Sequence, residues 1–463
     1  MNTYDVIYLD LQMFADAGTL VNTTGGEANA YTGQVTATGA MSSAMKTYYD
    51  TELLENARPR LVFTQLGKKQ FLPANHGESV EWRKWNTFDK AMTPLVEGVI
   101  PTGQRFGQSA TQVTVRQYGD YAAISDRLDL HAVDNVILGA TEEMGAAGGE
   151  TADTLVRNVL VTGTNVIYAD TLSGIAPDST PVGRYQMSAD NNRLTPDMVN
   201  KAYTFLKKQK APFFEGNKYV AVIHPSVTYD LRSSDEWLEV HKYAATQEIF
   251  AGEIGELHGV RFIETTEAPI FNGGPLIDEA NPNLVVAGYA ATDTTASATA
   301  GVTSPYKVTV KNTLTEAQGA ALVGRKVHIY DTSASAMVGT AMIVGCSYAS
   351  KDIWLEEAAP VTLSGASDAE DTLWPGEGGD SKTAGGPVAV YGTMFFGKDA
   401  FGVVDPEGMG MEMIVKDASQ VGGPLNQFST VGYKFESAAK ILYQNRMVRV
   451  ESCSAYSTVD EAN

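Results

Sequence analysis

The chain has 463 residues, with 34 Lys+Arg against 55 Asp+Glu and a formal net charge of −21. At about 150 residues per domain this is material for roughly three domains, or two with a large insertion, and a hydrophobic fraction of 43% excludes a wholly disordered chain. No apolar run approaches the roughly 20 residues that cross a bilayer, and the opening MNTYDVIYLDLQMFADAG lacks the basic start of a secretory leader.

The acidity also bears on partners. Affinity for nucleic acid comes largely from Lys and Arg displacing counterions, so the charge argues against a sequence-specific DNA reader. A surface that lies beside nucleic acid without binding it tightly is compatible. Chemistry is poorly signalled. The histidines, His76, His131, His224, His241, His258 and His328, include no pair with the i, i+4 spacing of a zinc protease, and Cys346 and Cys453 read as separate thiols in a reducing compartment. No G-x-S-x-G elbow occurs. Gly376–Asp380 reads as a flexible loop, and Asp368, Glu370 and Asp371 as a solvated turn lacking calcium-loop spacing. The expectation is no catalytic, cofactor-binding or metal residue, and no enzyme.

In chain order, residues 1–38 are rich in Gly, Thr, Ala and Asn and read as an extended arm. Met41, Met45, Tyr48, Tyr49 and Leu53 predict a helix that fades by Arg58-Pro59. Glu78–Trp85 predicts a strand with Val80, Trp82 and Lys84 on one face; Met92–Gly103, with two prolines and two glycines, excludes a helix; Thr111–Arg116 predicts a second strand. Together they make a long hairpin, either a sheet edge or an intersubunit arm. A lone two-stranded ribbon is barely stable in water, so it needs a surface to lie on.

Residues 133–162 predict the longest helix, with Ile137, Ala140, Met144, Ala147, Thr151, Leu155 and Val159 stepping by three or four. Gly145, Gly148 and Gly149 in its middle each cost about 1 kcal/mol relative to Ala, which implies a bend or close packing. A flex point here predicts that Gly148→Ala with Gly149→Ala alters assembly. Thr195-Pro196 opens a further helix buried through Met198, Ala202, Phe205 and Leu206; strand Tyr219–Ile223 follows, Ser226 is placed to cap a short helix, and Val260–Thr265 is another strand. This is α+β texture. Residues 280–392, with six Lys/Arg against eleven Asp/Glu, hold short strands at Tyr306–Val310, Arg325–Tyr330 and Thr340–Val344 and read as a small inserted β domain. Val390–Gly397 returns to core material, and Val431–Val450 is expected to complete the host sheet.

The order of these parts resembles that of tailed-bacteriophage major capsid proteins with the Hong Kong 97-like (HK-97) fold. Glu97–Pro101 looks like the tip of that family's extended loop and Gln117–Asp126 like the strand leaving it. Tyr219–Tyr229, Ile249–Gly255 and Gly259–Thr265 are similar to its axial and peripheral segments, and Gly423–Gln427, Val431–Lys434 and Arg446–Glu451 to its C-terminal signature. The branch resembled is that of coat proteins related to coliphage N-4. Leu9–Ala15 resembles a processing signal of some Firmicute phage coat and ribosomal proteins, which implies a cut after Ala15.

The resemblance implies an arm at 1–38, an N-terminal helix region at 39–69, an extended loop at 70–118, and a spine helix with peripheral domain at 119–194. It further implies an axial domain beginning at 195–279, the insertion at 280–392, and axial and peripheral completion at 393–463. The implied function is a capsid subunit forming pentamers and hexamers around packaged double-stranded DNA. Its implied partners are scaffolding, portal and decoration proteins, with no membrane, and its place is the virion, after assembly in the host bacterial cytoplasm. Trp82, Trp85, Phe88, Leu95, Val99 and Ile100 are the candidate intersubunit contacts. The competing reading is an enzyme or carbohydrate-binding protein carrying the β insertion as its module.

Overall fold

The computed structural model describes Thr19–Leu20 and the chain from residue 61 onward, apart from 74–76, 87, 91, 93, 96, 98–99, 101–102, 132–135, 171–182, 189–190, 235, 238–252, 293–303, 368, 407–410 and 422–426. The expected helix at 41–53, most of the arm, the cut after Ala15 and Val99 lie outside the described residues. The chain divides into two compact units, residues 1–159 with 401–442 and residues 160–400 with 443–463.

The first unit is built on a six-stranded sheet. Its longest strand, Phe428–Ile441, pairs antiparallel with Arg116–Ser125 along one edge and with Glu412–Lys416 and Phe401–Pro406 along the other; Lys68–Leu72 then pairs parallel with Phe401–Pro406. The spine helix Val136–Val161 is continuous through its glycines. Ile137, Ala140 and Met144 turn one face onto Ile124, Leu128, Val431 and Met413, and Thr151 Oγ1 lies 3.1 Å from the Tyr433 hydroxyl. The α+β expectation holds here in a form the closing stretch does not show locally. Val431–Val450 does not finish one sheet: Phe428–Ile441 belongs to this unit, while Met447–Ser452 belongs to the sheet of the second.

In the second unit the sheet runs in the order Val166–Tyr168, Met447–Ser452, Val390–Phe396, Tyr219–Ile223, Val260–Glu264, Glu253–Leu257. Tyr219–Ile223 is buried along its whole length, the pattern of a strand covered on both faces. Helix Pro196–Lys208 packs Met198, Val199, Ala202 and Leu206 into the same core as Tyr219, Phe262, Phe395 and Val450. Its cap is the expected one, the Thr195 side chain accepting from Met198 N–H. The short helix Pro225–Arg232 departs from expectation: His224, not Ser226, is the N-cap, its Nδ1 accepting from Ser226 N–H at 3.2 Å. Pro225 occupies the first helical position, where its missing N–H costs nothing.

Strands Leu284–Ala290, Tyr306–Val310, Asp352–Leu355, Ala336–Ser347, Lys326–Asp331 and Thr372–Pro375 close into a barrel. Every contact around it is antiparallel, and closure comes from the first strand pairing with the last, Leu284 opposite Leu373. Alternate residues fill the inside, among them Val308, Val310, Val327, Ile329, Ile343, Ile353 and Leu355. Register shifts at Val286/Gly288, Ile329/Tyr330 and Ile343/Gly345 supply the curvature that closure needs. Helix Glu316–Leu322 is secured by a capping box between Thr315 and Gln318. The barrel ends at Pro375, and Val390–Phe396 is a central strand of the host sheet, so the last residues of 280–392 belong to the host.

Polar contacts hold the segments that join the barrel to this sheet, and a charged cluster and one histidine lie close by. Arg325 donates to the carbonyls of Gly273, Gly274 and Pro275, and Lys326 N–H donates to Glu377 Oε1 at 2.9 Å. The fully buried Glu451 accepts from Arg184 at 2.6 and 2.7 Å and from Arg449 at 2.7 Å. His328 sits on a barrel strand between the inward-facing Val327 and Ile329, yet has no exposed surface, and the ring of Tyr185 lies 5.8 Å away, edge-on. Burial pushes its imidazole down to about 4, against the pull of the Gly376 backbone and with the Arg184 charge adding to the fall.

His328 therefore stays neutral while the unfolded chain takes up a proton below the ordinary value of 6.5. The unfolded state binds more protons between those limits, so stability is complete above pH 6.5 and is lost as pH falls toward 4. The expected loss is about 3 kcal/mol at about 1.4 kcal/mol per pKa unit. Urea unfolding of this unit at pH 7 and 4.5, in the wild type and in His328→Phe, measures it; equal pH slopes in the two chains would dismiss the histidine as the cause.

Candidate intersubunit interface

Ser79–Trp85 and Gln108–Thr114 form a separate two-stranded ribbon, in register from Ser79 opposite Thr114 to Trp85 opposite Gln108. Side chains alternate across such a ribbon, so Val80 and Trp82 share one face while Glu81, Arg83 and Trp85 share the other. The first face has a surface to lie on. Val80, Trp82 and Val113 pack with Leu72, Val115, Val404 and Ala438 of the first unit's sheet. The fit is close: a Cβ placed on Gly402 would come within 2.8 Å of the Trp82 indole. Trp82 is thus part of the subunit's own packing, which sets it apart from the other candidate contacts. Its indole nitrogen has no acceptor among the described residues, so it contributes through packing alone.

The second face and the tip are different. Trp85 stacks on Phe106 at 4.2 Å between ring centroids, and Phe106 stacks on Phe88 at 5.4 Å. Asn86 N–H donates to the Gly107 carbonyl at 2.9 Å, and Gln104 Nε2 donates to the Asp89 carbonyl at 2.7 Å, holding the two arms of the tip together. Stacking does not hide these rings: Trp85 is 61% exposed, Phe88 54% and Phe106 58%, and beyond them Met92, Leu95 and Ile100 are exposed at 82%, 78% and 92%. A lone exposed apolar side chain is ordinary, whereas six large ones gathered on one tip form an apolar patch of the kind that binding surfaces carry. Of the sequence candidates, the structure brings Trp85 and Phe88 into one cluster through Phe106 and places Leu95 and Ile100 in solvent on the same tip. Phe106 and Met92 were not anticipated. Phe106 follows from the hairpin register, two residues before Gln108, which faces Trp85.

The mid-helix glycines are not equivalent. A Cβ on Gly145 would meet nothing, on Gly148 it would come within 2.9 Å of Met411 and 3.1 Å of the Tyr433 ring, and on Gly149 within 3.0 Å of Leu61 Cδ1. Gly148 and Gly149 allow close packing on two sides of the helix. Among the described residues, no group of three or more His, Cys, Asp or Glu is placed to hold a metal ion, and no helix is long and apolar enough to cross a membrane.

A family model described as phage capsid protein matches residues 99–343, more than half of the sequence. The chain belongs to the phage capsid protein family, and its function is to build the head shell. Comparison with curated protein sequences finds no match. Among solved structures it is similar to the capsid of cyanophage P-SCSP1u, with 11% identity over 94% of this chain and 100% of that one and a TM-score of 0.47. It is similar to the capsid asymmetric unit of cyanophage Pam1, with 11% identity over 90% and 98% and a TM-score of 0.49. The capsid of Ralstonia phage GP4 is a third, with 12% identity over 90% and 97% and a TM-score of 0.47.

Proposed function

We propose that this chain is the major subunit of a Hong Kong 97-like head, assembling as pentamers and hexamers into an icosahedral shell around double-stranded DNA, with no catalytic role. The observation that carries the reading is the exposed aromatic tip of the ribbon: a poor feature for a solitary subunit, and an effective one for a subunit whose neighbour covers it. The net charge of −21 suits a wall that encloses DNA without gripping it. In the same reading the first unit supplies the peripheral domain and extended loop, the second the axial domain, and the barrel is an insertion carried by the latter. Scaffolding, portal and decoration proteins are its expected partners, the bacterial cytoplasm its place of assembly, and the coliphage N-4 group its branch.

Size-exclusion chromatography with light scattering, followed by negative-stain imaging of the void-volume peak, tests the reading. Closed shells, or regular pentamers and hexamers, support it. A chain that stays monomeric when co-expressed with its phage's other head proteins overturns it. Bending of the spine helix at Gly145, Gly148 and Gly149 belongs to the same proposal, and unchanged particle shape and yield in Gly148→Ala with Gly149→Ala would remove it.

A further inference from the structure

The spine helix carries, one turn apart, a glycine and a carboxylate that together grip the chain at residues 61–64. Asp153 is only 1% exposed although it lies within a helix and bears a charge. Its Oδ2 accepts the N–H of Val62 at 3.0 Å and of Phe63 at 3.3 Å, and its Oδ1 accepts the N–H and the hydroxyl of Thr64 at 2.7 and 2.8 Å. Those amides open the short helix Phe63–Leu66, whose N-cap residue, Val62, makes no side-chain capping bond. The first N–H groups of any helix lack partners within it, and here a carboxylate from another helix supplies them. Four donors converge on one buried carboxylate, which meets the requirement that a buried charge be fully hydrogen-bonded.

Gly149 lies four residues before Asp153, on the same side of the helix. A Cβ there would stand 3.0 Å from Leu61 Cδ1, so the absence of a side chain makes room for Leu61. Shape and hydrogen bonding are independent observations, and both point at residues 61–64.

We propose that Gly149 and Asp153 are an anchoring seat for residues 61–64, so that the spine helix fixes the chain at the point where it enters the strand Lys68–Leu72. The seat acts within one chain and does not depend on the shell reading. A pull on the chain at Leu61 then reaches the spine helix through Asp153 before it reaches the strand Lys68–Leu72.

Hydrogen exchange on the full-length chain tests this. Asp153→Asn replaces one acceptor oxygen by an NH₂ group that faces N–H donors. The expected result is a rise of about tenfold or more in exchange at Val62, Phe63 and Thr64, with the strand Phe428–Ile441 unchanged, as for a local opening. Thr64→Val, which removes only the hydroxyl donor, gives a smaller rise at the same amides. Gly149→Val displaces Leu61 and raises exchange there, and adding Leu61→Ala restores protection. Unchanged exchange at residues 62–64 in Asp153→Asn overturns the proposal. So does an equal rise throughout the unit, which makes Asp153 a general core residue. If Asp153→Asn does not fold, the Gly149→Val and Leu61→Ala pair decides: no change in Gly149→Val, or no restoration in the double variant, refutes the seat.

Discussion

Trp85→Ala with Phe106→Ala is expected to cut the yield of assembled particles at least about a hundredfold while leaving the subunit folded. The argument is one of location. Both rings are stacked on each other and exposed, so their removal deletes little of the subunit's own core, and surface changes of this kind shift stability by about 0.5 kcal/mol or less. Truncating an aromatic anchor in an interface costs about 2 kcal/mol or more, and each 1.4 kcal/mol is about tenfold in affinity. In the proposed shell, two rings at each contact multiply that loss. Trp82→Ala is the contrasting case. Its indole fills space against Gly402 and the Val80, Val404 and Ala438 cluster, so the expected loss is about 3 kcal/mol of subunit stability, with assembly falling only as folded subunit falls. Calorimetry and particle counts on the two variants, made separately, check this. If the Trp85/Phe106 variant melts early, the rings belong to the fold and the tip is no interface.

The second large effect lies at Glu451. This carboxylate is completely buried between Arg184 and Arg449, and Arg449 is itself nearly buried. Glu451→Ala leaves two guanidinium groups facing each other without their anion, and breaking a buried pair by removing one partner costs about 3–5 kcal/mol. For a unit of this size that is a fall of roughly 10 °C in melting temperature. Arg184 also covers the Phe271 ring at 3.5 Å and donates to the Glu377 carbonyl, so the loss extends toward the barrel's attachment. Replacing Glu451, Arg184 and Arg449 together by apolar residues of similar volume is expected to recover much of the loss, because the desolvation penalty of the ions goes with them. A melting temperature unchanged in Glu451→Ala would show that the three charges contribute nothing net.

Much of the fold is written in local pattern. The unbroken apolar run Tyr219–Ile223, the Thr195-Pro196 start signal and the three-and-four spacing of the spine helix each encode their element within a few residues, and the structure has each of them. What local pattern does not carry is pairing at a distance. Barrel closure depends on Leu284 meeting Leu373, and the split of the closing stretch between two sheets depends on which strands Phe428–Ile441 and Met447–Ser452 find. The candidate interface was legible by composition and only half legible by geometry. Trp82 and Trp85 are three apart, so a period of two sends them to opposite faces of the ribbon, one inward and one outward. The same period, taken across the register, finds Phe106.

The barrel's position in the chain has a consequence of its own. Phe271 and Val390 are directly paired across neighbouring strands of the host sheet, a separation of about 5 Å between Cα atoms. All of the chain from 272 to 389, barrel included, therefore occupies the place of a single hairpin turn. A two-residue link is long enough to replace it, which makes the barrel an exchangeable cassette: a protein of this design can gain, lose or trade it while the two host strands on either side keep their register.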